Sequence, residues 1–277
     1  MLATRLELES CTRALGPHLK RFGLQMHVGT AAKKSKTEAL FVPKPGGSVD
    51  DGDTSPVRAD NAGSVVTFTP RFKYLGSLVT CDLRDDQDVD TRLASAAAAF
   101  GALRSCVFDS RDITLATKKR VYLTLVVNIL LYGSECWCLT AALLGRLRAF
   151  HSRCIRSMCR VTRWQTWHHH ISSASLRDSM RLETIDHYIS LRKLRWAGHV
   201  ARMNMERLPR KFLTSWVRQA RPHGRPQFTY GHSLNKTLKH AGISTDFGVW
   251  TKLAQDRNGW RGRIYSTAKF PPTVSRG

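Results

Sequence analysis

Paired aspartates, a run of cysteines and histidines, and two series of arginines are the residues of this chain whose types and spacing suit chemistry. Paired carboxylates can hold two metal ions that stabilise the attacking and leaving oxygens of a phosphoryl transfer. The chain has Asp50-Asp51 in a stretch of Pro, Gly, Ser and Asp, and Asp85-Asp86 in the polar run LRDDQDVD. Neither pair sits in an apolar strand, and carboxylates gathered ahead of a helical pattern are favoured by the helix dipole. The Asp85 cluster is therefore expected to begin a helix, and no catalytic residue is assigned.

Cys136, Cys138, His151, Cys154, Cys159 and the triplet His168 to His170 are the candidates for metal binding. Structural zinc sites usually open with two cysteines separated by two to four residues. Here a single residue separates Cys136 from Cys138, and Cys154 falls on an apolar helical stripe. Free thiols are the expected outcome, and no metal ligand is assigned. Trp164 and Trp167, set among Arg163 and the histidines, have the composition of a base-stacking surface. A core position is the commoner fate of tryptophan at a helix end. No Gly-rich phosphate loop, Ser/His/Asp arrangement or nucleophilic cysteine emerges.

The arginines give the clearest signal. Residues 140–160 place Leu143, Leu147, Phe150, Cys154 and Met158 on one helical face, with Arg146, Arg153, Arg156 and Arg160 beside it. Arg192, Arg195, His199 and Arg202 recur at helical steps in a second segment, flanked by Trp196. Lys118, Lys119 and Arg120 stand at the expected exposed start of an apolar helix over 114–132, where cations oppose the dipole. Such stripes suit duplex phosphates; a solvated cationic face is the alternative.

The formal net charge is +23, and it is unevenly spread. Residues 1–110 hold 14 Lys and Arg against 13 Asp and Glu, whereas residues 111–277 hold 30 against 8, of which 22 are Arg. The planar guanidinium fork matches phosphate. Nucleic acid, as an RNA/DNA duplex or a single strand, is therefore the expected partner, with no small-molecule substrate and no protein partner specified. No run reaches the ~18–20 apolar residues of a membrane helix, no signal peptide opens the chain, and no membrane partner is expected. Seven cysteines without regular spacing argue against a secreted disulfide framework. An intracellular setting, nucleus or cytoplasm, follows.

The elements that must position these residues follow from periodicity. A helix is expected over 4–22, apolar at Leu8, Cys11, Leu15, Leu19 and Phe22, with Gly16-Pro17 kinking or splitting it and Gly23 closing it. Short strands are expected at 24–28 and 39–42, then a flexible loop over 43–64. Residues 65–68 and 72–79 are expected to pair as a hairpin about Thr69-Pro70-Arg71. Phe72, Lys73, Tyr74 and Leu75 have strand character, and Gly76 is a place to turn. A helix over 88–104 carries Val89, Leu93, Ala96, Phe100 and Leu103 on one face. Beyond the Arg192 segment, Arg221 to Pro226 reads as a basic linker, and a small helical unit closes the chain.

In order along the chain, Phe22-Gly23-Leu24, Lys34-Ser35-Lys36-Thr37, Phe72-Lys73-Tyr74-Leu75-Gly76, Leu130 to Trp137 (LLYGSECW), Leu194 to Val200 (LRWAGHV) and Trp250 to Arg261 (WTKLAQDRNGWR) form a series. It resembles the end of a reverse transcriptase of the non-LTR retrotransposon (LINE) kind, over about 21–263. The resemblance implies an α+β fold: a small β-hairpin palm remnant over 1–80 with a primer-grip hairpin at Phe72 to Gly76, a helical thumb over 81–165, and a basic helical region over 166–277. It implies an RNA-directed DNA polymerase fragment that binds template-primer through Lys36, the grip and the basic helices. The family's catalytic carboxylates precede the matched region, so no cofactor is implied for this chain; Mg²⁺ belongs to an intact member. The alternatives are a domesticated basic interaction module and a truncated product without separate activity.

Overall fold

The computed structural model describes residues 4–29, 36–43, 52–59, 64–218 and 229–266, the side chains of 215–218 excepted. The fold is α+β and mainly helical. The chain divides between Asp88 and Val89 into two compact units.

The first unit opens with helix α1, Arg5–Lys20, whose N-cap Thr4 forms a capping box with Glu7. It runs through Gly16-Pro17 without a break. Only its Leu8 and Thr12 side meets the sheet core. Cys11, Leu15 and Phe22 of the expected apolar stripe are exposed instead, because that core is small: Ala39, Ala59 and Val66, with Leu8, Met26, Val28 and Phe68 packed around them. Gly23 closes α1 at φ 70° while the Leu24 amide donates to the Leu19 carbonyl at 3.1 Å.

Three strands form one sheet in the order β1 (Glu38–Ala39), β3 (Val65–Phe68), β2 (Val57–Arg58). β3 is parallel to β1 and antiparallel to β2. The expected strand at 24–28 is not formed; Gly29 alone bridges Val65. The expected loop 43–64 yields β2, and its residues 44–51 and 60–63, Asp50-Asp51 among them, lie outside the described residues.

The expected pairing of 65–68 with 72–79 is not formed, whereas the hairpin expected at Phe72 to Gly76 is. It joins β4 (Arg71–Tyr74) to β5 (Ser77–Thr80), with Phe72 opposite Val79, and turns at Leu75-Gly76. Both turn residues have positive φ, 46° and 90°, the geometry whose twist suits a two-residue hairpin. β3 is unavailable to β4 because its two edges are taken by β1 and β2. Asp88 accepts the Leu78 amide at 2.9 Å, and Asp82 accepts the Thr80 hydroxyl at 2.6 Å.

α2 (Asp86–Ala102) starts just ahead of the division at Val89 and leads the second unit, continuing into a π-helical turn, Arg104–Phe108. Thr114 caps a run made of α3 (Leu115–Val121), a π-helical segment (Tyr122–Val127) and α4 (Asn128–Leu130). α5 (Ala141–Met158), α6 (Arg163–His168), α7 (Ser173–Ser179) and α8 (Ile185–Ala201) follow. The expected stripes of α2 and α5 pack into one core: Val89, Ala96, Leu143, Leu147, Phe150, Cys154 and Met158 are buried around Tyr122, Phe108 and Leu130. The LLYGSECW segment ends the α4 run, with Gly133 at φ 78° and Leu131, Ser134 and Trp137 buried.

Three consecutive helices here end in one way. Arg160 after α5, His170 after α6 and Arg181 after α7 each take positive φ (58°, 52° and 51°). The amides of Val161, Ile171 and Leu182 then donate to the carbonyls of Arg156, Thr166 and Arg177, closing each helix by the Schellman pattern.

α9 (Leu208–Arg218), α10 (Tyr230–His240), α11 (Phe247–Leu253) and α12 (Arg257–Ser266) gather on α8 around a second core, with Leu234, Leu238, Trp250, Trp260 and Ile264 buried. Trp260 lies on Gly198 of α8, where a Cβ would come within 2.2 Å of its Nε1, and that Nε1–H donates to the Leu194 carbonyl at 3.1 Å. The last two motifs of the series therefore pack against each other. Gly198→Ala should cost about 1–3 kcal/mol through this overlap, read as a lowered melting temperature with faster proteolysis at α12. An unchanged melt would refute the close-approach role.

His151 is buried in the first core, with Nδ1 and the Tyr122 hydroxyl 2.8 Å apart and Nε2 3.0 Å from the Glu183 carbonyl. Nε2–H donates to that carbonyl, leaving Nδ1 to accept from the phenol. Burial drives the His151 pKa down to about 4 from an ordinary 6.5. Above 6.5 both folded and unfolded chains are neutral at this position. As pH falls toward 4 the unfolded chain binds a proton that the folded chain refuses, so stability declines through that window by up to roughly 3 kcal/mol. Melts of wild type and His151→Gln over the window should give a steeper acid decline for wild type; parallel declines would remove His151 as the cause.

Candidate nucleic-acid interface

α8 is amphipathic, and its two faces use cations differently. Lys193 lies on the same face as Ala197 and Val200 and is buried; its ammonium donates to the Trp137 carbonyl at 2.7 Å and the Ser233 hydroxyl at 2.6 Å. The other face carries Arg192, Arg195, His199 and, just past the helix, Arg202. These four line a groove of about 850 Å³ together with Arg257 and Arg261 of α12. Tyr188, Trp196 and Tyr265 give it aromatic walls, and Glu135 is the carboxylate among its lining.

Within the groove, two arginines are tethered. Arg192 donates to the Asn128 side-chain carbonyl at 2.6 Å, and Arg202 donates to the Ala254 carbonyl at 2.7 Å. Burial lowers the pKa of Arg192, opposed by Glu135 and reinforced by Arg195; burial and then Arg257 lower that of Arg202. Like charges thus depress one another along the groove. Arg195, His199, Arg257 and Arg261 are exposed and join no ion pair among the described residues, while Arg261 lies 5.9 Å over the Tyr265 ring.

The first arginine stripe is less uniform than its spacing suggests. Arg146 is paired with Asp90 of α2. Arg148, outside the expected set, makes a two-pronged bond to Asp186, Nη2 to Oδ1 at 2.6 Å and Nε to Oδ2 at 3.0 Å. Arg153 is exposed and Arg156 half-buried on α5. Arg160 is beyond the helix, at its left-handed end.

The expected exposed start of the central helix is corrected at Lys118, which is buried with its ammonium donating to the Ser110 carbonyl at 2.7 Å. Lys119 donates to the Arg181 carbonyl, and Arg120 alone of the three is fully exposed. In the first unit, Phe72 is half-buried, Lys73 exposed, and Tyr74 and Leu75 stand out at the hairpin tip. Lys36 is exposed and its amide donates to His27 Nδ1 at 3.1 Å. Lys34 and Ser35, and the basic linker 221–226, lie outside the described residues.

Asp86 opens α2, as expected of this cluster, and pairs with Arg84 at 3.0 Å. Among the described residues no group of three or more His, Cys, Asp or Glu is placed to hold a metal ion. Burial raises the Cys154 pKa to about 12, which keeps it a thiol. The expected core role of Trp164 and Trp167 is overturned: they are 61% and 77% exposed. No described helix is long and apolar enough to cross a membrane.

Arg257 and Arg261 were missed in the sequence. Their four-residue spacing about Trp260 was the available signal, since it puts both on the α12 side next to that indole.

An uncharacterized transposon-derived protein of Caenorhabditis elegans is 28% identical to this chain over 194 residues, 68% of each sequence. No family model matches. No solved structure matches.

The geometry separates tether from open cation, and the two should respond oppositely. Lys118→Ala should lower stability by about 1.5–3 kcal/mol, since it removes a hydrogen bond from a charged donor, and leave nucleic-acid affinity of the folded fraction unchanged. Arg195→Ala should weaken affinity with little effect on the melt. Denaturant unfolding and filter binding on both variants check this, and the reverse pattern would overturn it.

Proposed function

We propose that this chain is the nucleic-acid-binding part of a transposon-encoded protein, of the non-LTR reverse transcriptase kind, and that the α8–α12 groove seats a sugar-phosphate backbone. The observation that carries this reading is the groove itself: five arginines and a histidine along one concavity with a single lining carboxylate. Like charges gathered without ion pairs are relieved when a polyanion brings phosphates and releases its condensed counterions. The transposon-derived relative supports the origin, and the ordered motifs support the finer family.

In this reading the Leu75-Gly76 hairpin tip presents Phe72, Tyr74 and Leu75 as the grip for a primer end. The tethered Arg192 and Arg202 hold the groove's shape, while Arg195, Arg257 and Arg261 contact phosphate. The chain binds and positions nucleic acid without copying it, because its Asp82, Asp86 and Asp88 carboxylates serve the hairpin and the start of α2.

The test is the salt dependence of duplex binding. Each phosphate contact contributes about −0.9 to the slope of log affinity against log salt on B-form DNA. Arg195, Arg257 and Arg261 changed together to Ala should flatten the slope by up to roughly 3 units, equally for unrelated sequences. Arg146 and Arg148, already paired, should change it much less when replaced. An unchanged slope in the folded triple variant would sink the groove assignment.

A further inference from the structure

Packing leaves α6 unexplained. It buries none of its six residues, and a capping box between Thr162 and Gln165 holds it. It nevertheless carries the two exposed indoles of Trp164 and Trp167, which lie on neighbouring positions of one helical side. One face of Trp164 already holds a flat ring: His168 stacks on it at 4.6 Å with 17° between planes, and His169 meets it edge-on at 6.1 Å. Trp167 has no ring partner among the described residues.

The charge around these rings has one sign. It comes from Arg160 and Arg163, which are exposed and join no ion pair among the described residues; His168, His169 and His170 are exposed beside them. No Asp or Glu occurs between Glu135 and Asp178. A ligand that satisfies this surface brings flat rings and negative charge at adjacent positions. An acidic peptide supplies the charge without a repeating ring. An anionic bilayer favours a continuous apolar helix face, whereas Gln165 and Thr166 separate the two indoles here.

We propose that Trp164 and Trp167 form a platform on which unpaired bases of a single-stranded nucleic acid stack, with Arg160 and Arg163 taking the flanking phosphates. This rests on the reading of the chain as nucleic-acid-binding and adds a second site, for unpaired strand rather than duplex backbone. Every base offers a π face, so the platform is tolerant of sequence.

The experiment measures anisotropy of labelled oligothymidylate and of a labelled blunt duplex with the full chain, in wild type, Trp164→Ala/Trp167→Ala, Trp164→Phe/Trp167→Phe and the groove triple variant. The double Ala variant should lose roughly 10- to 100-fold on oligothymidylate, as expected for lost base stacking, and stay within about threefold on the duplex. The Phe variant should recover most of the loss. Circular dichroism confirms the fold, which the exposed indoles should not affect. If the Ala variant binds oligothymidylate like wild type while the groove variant loses duplex, the platform is overturned and the groove stands. If wild type binds neither probe, the nucleic-acid reading itself falls. If the Ala changes release only phosphatidylserine vesicles, the patch faces lipid and this proposal is wrong.

Discussion

A glycine beneath a tryptophan sets the geometry of the second core. With no side chain at Gly198, the Trp260 indole reaches the α8 backbone, and α12 lies close enough for its arginines to share a groove with those of α8. Bringing like charges together opposes folding, but the magnitudes decide the outcome. Exposed charge pairs in water interact by about 1 kcal/mol or less, whereas burying one large apolar side chain contributes about 1.5–3 kcal/mol. Trp250, Trp260, Leu234, Leu238 and Ile264 are nearly or fully buried in the second core, and Trp260 and Ile264 also line the groove. The apolar side of the packing therefore outweighs the cationic side.

The same arithmetic sorts the cations elsewhere. Lys118 and Lys193 are buried against carbonyls and a hydroxyl, Arg148 is locked to Asp186, and Arg192 and Arg202 span between helices. These groups cost desolvation and return hydrogen bonds of the stronger, charge-assisted kind. A high count of basic residues is thus not a count of contacts available to a partner.

Helical periodicity carried well from sequence to fold in α2 and α5, though not in α1, whose stripe outruns its small sheet core. Val89, Ala96, Leu143, Leu147, Cys154 and Met158 are all core residues, since a stripe at 3.6-residue spacing has one way to be buried. Gly76 carried as the place to turn, but the pairing of 65–68 with 72–79 did not, because pairing depends on which edges other strands occupy and on Leu75 accepting a left-handed conformation that its type does not announce. Lys118 was misread for a related reason: a lone lysine among basic neighbours looks exposed until the Ser110 carbonyl is folded over it. Lys193 was legible in principle, being in step with Ala197 and Val200 rather than with Arg192 and Arg195. Trp164 and Trp167 misled in the other direction, as composition says nothing of whether a core lies within reach of α6.

The three left-handed helix ends at Arg160, His170 and Arg181 have a consequence for how this chain tolerates change. A branched or long side chain in that conformation costs about 1–2 kcal/mol relative to glycine, and glycine does occupy the equivalent place at Gly23 and Gly242. Substitution toward the conformationally cheapest residue would make these turns more robust while removing the guanidinium groups of Arg160 and Arg181. Variants drawn from thermal selection alone would drift toward glycine at these positions, and variants selected for binding would keep the cation. Backbone strain at these turns is then a record of which demand has prevailed.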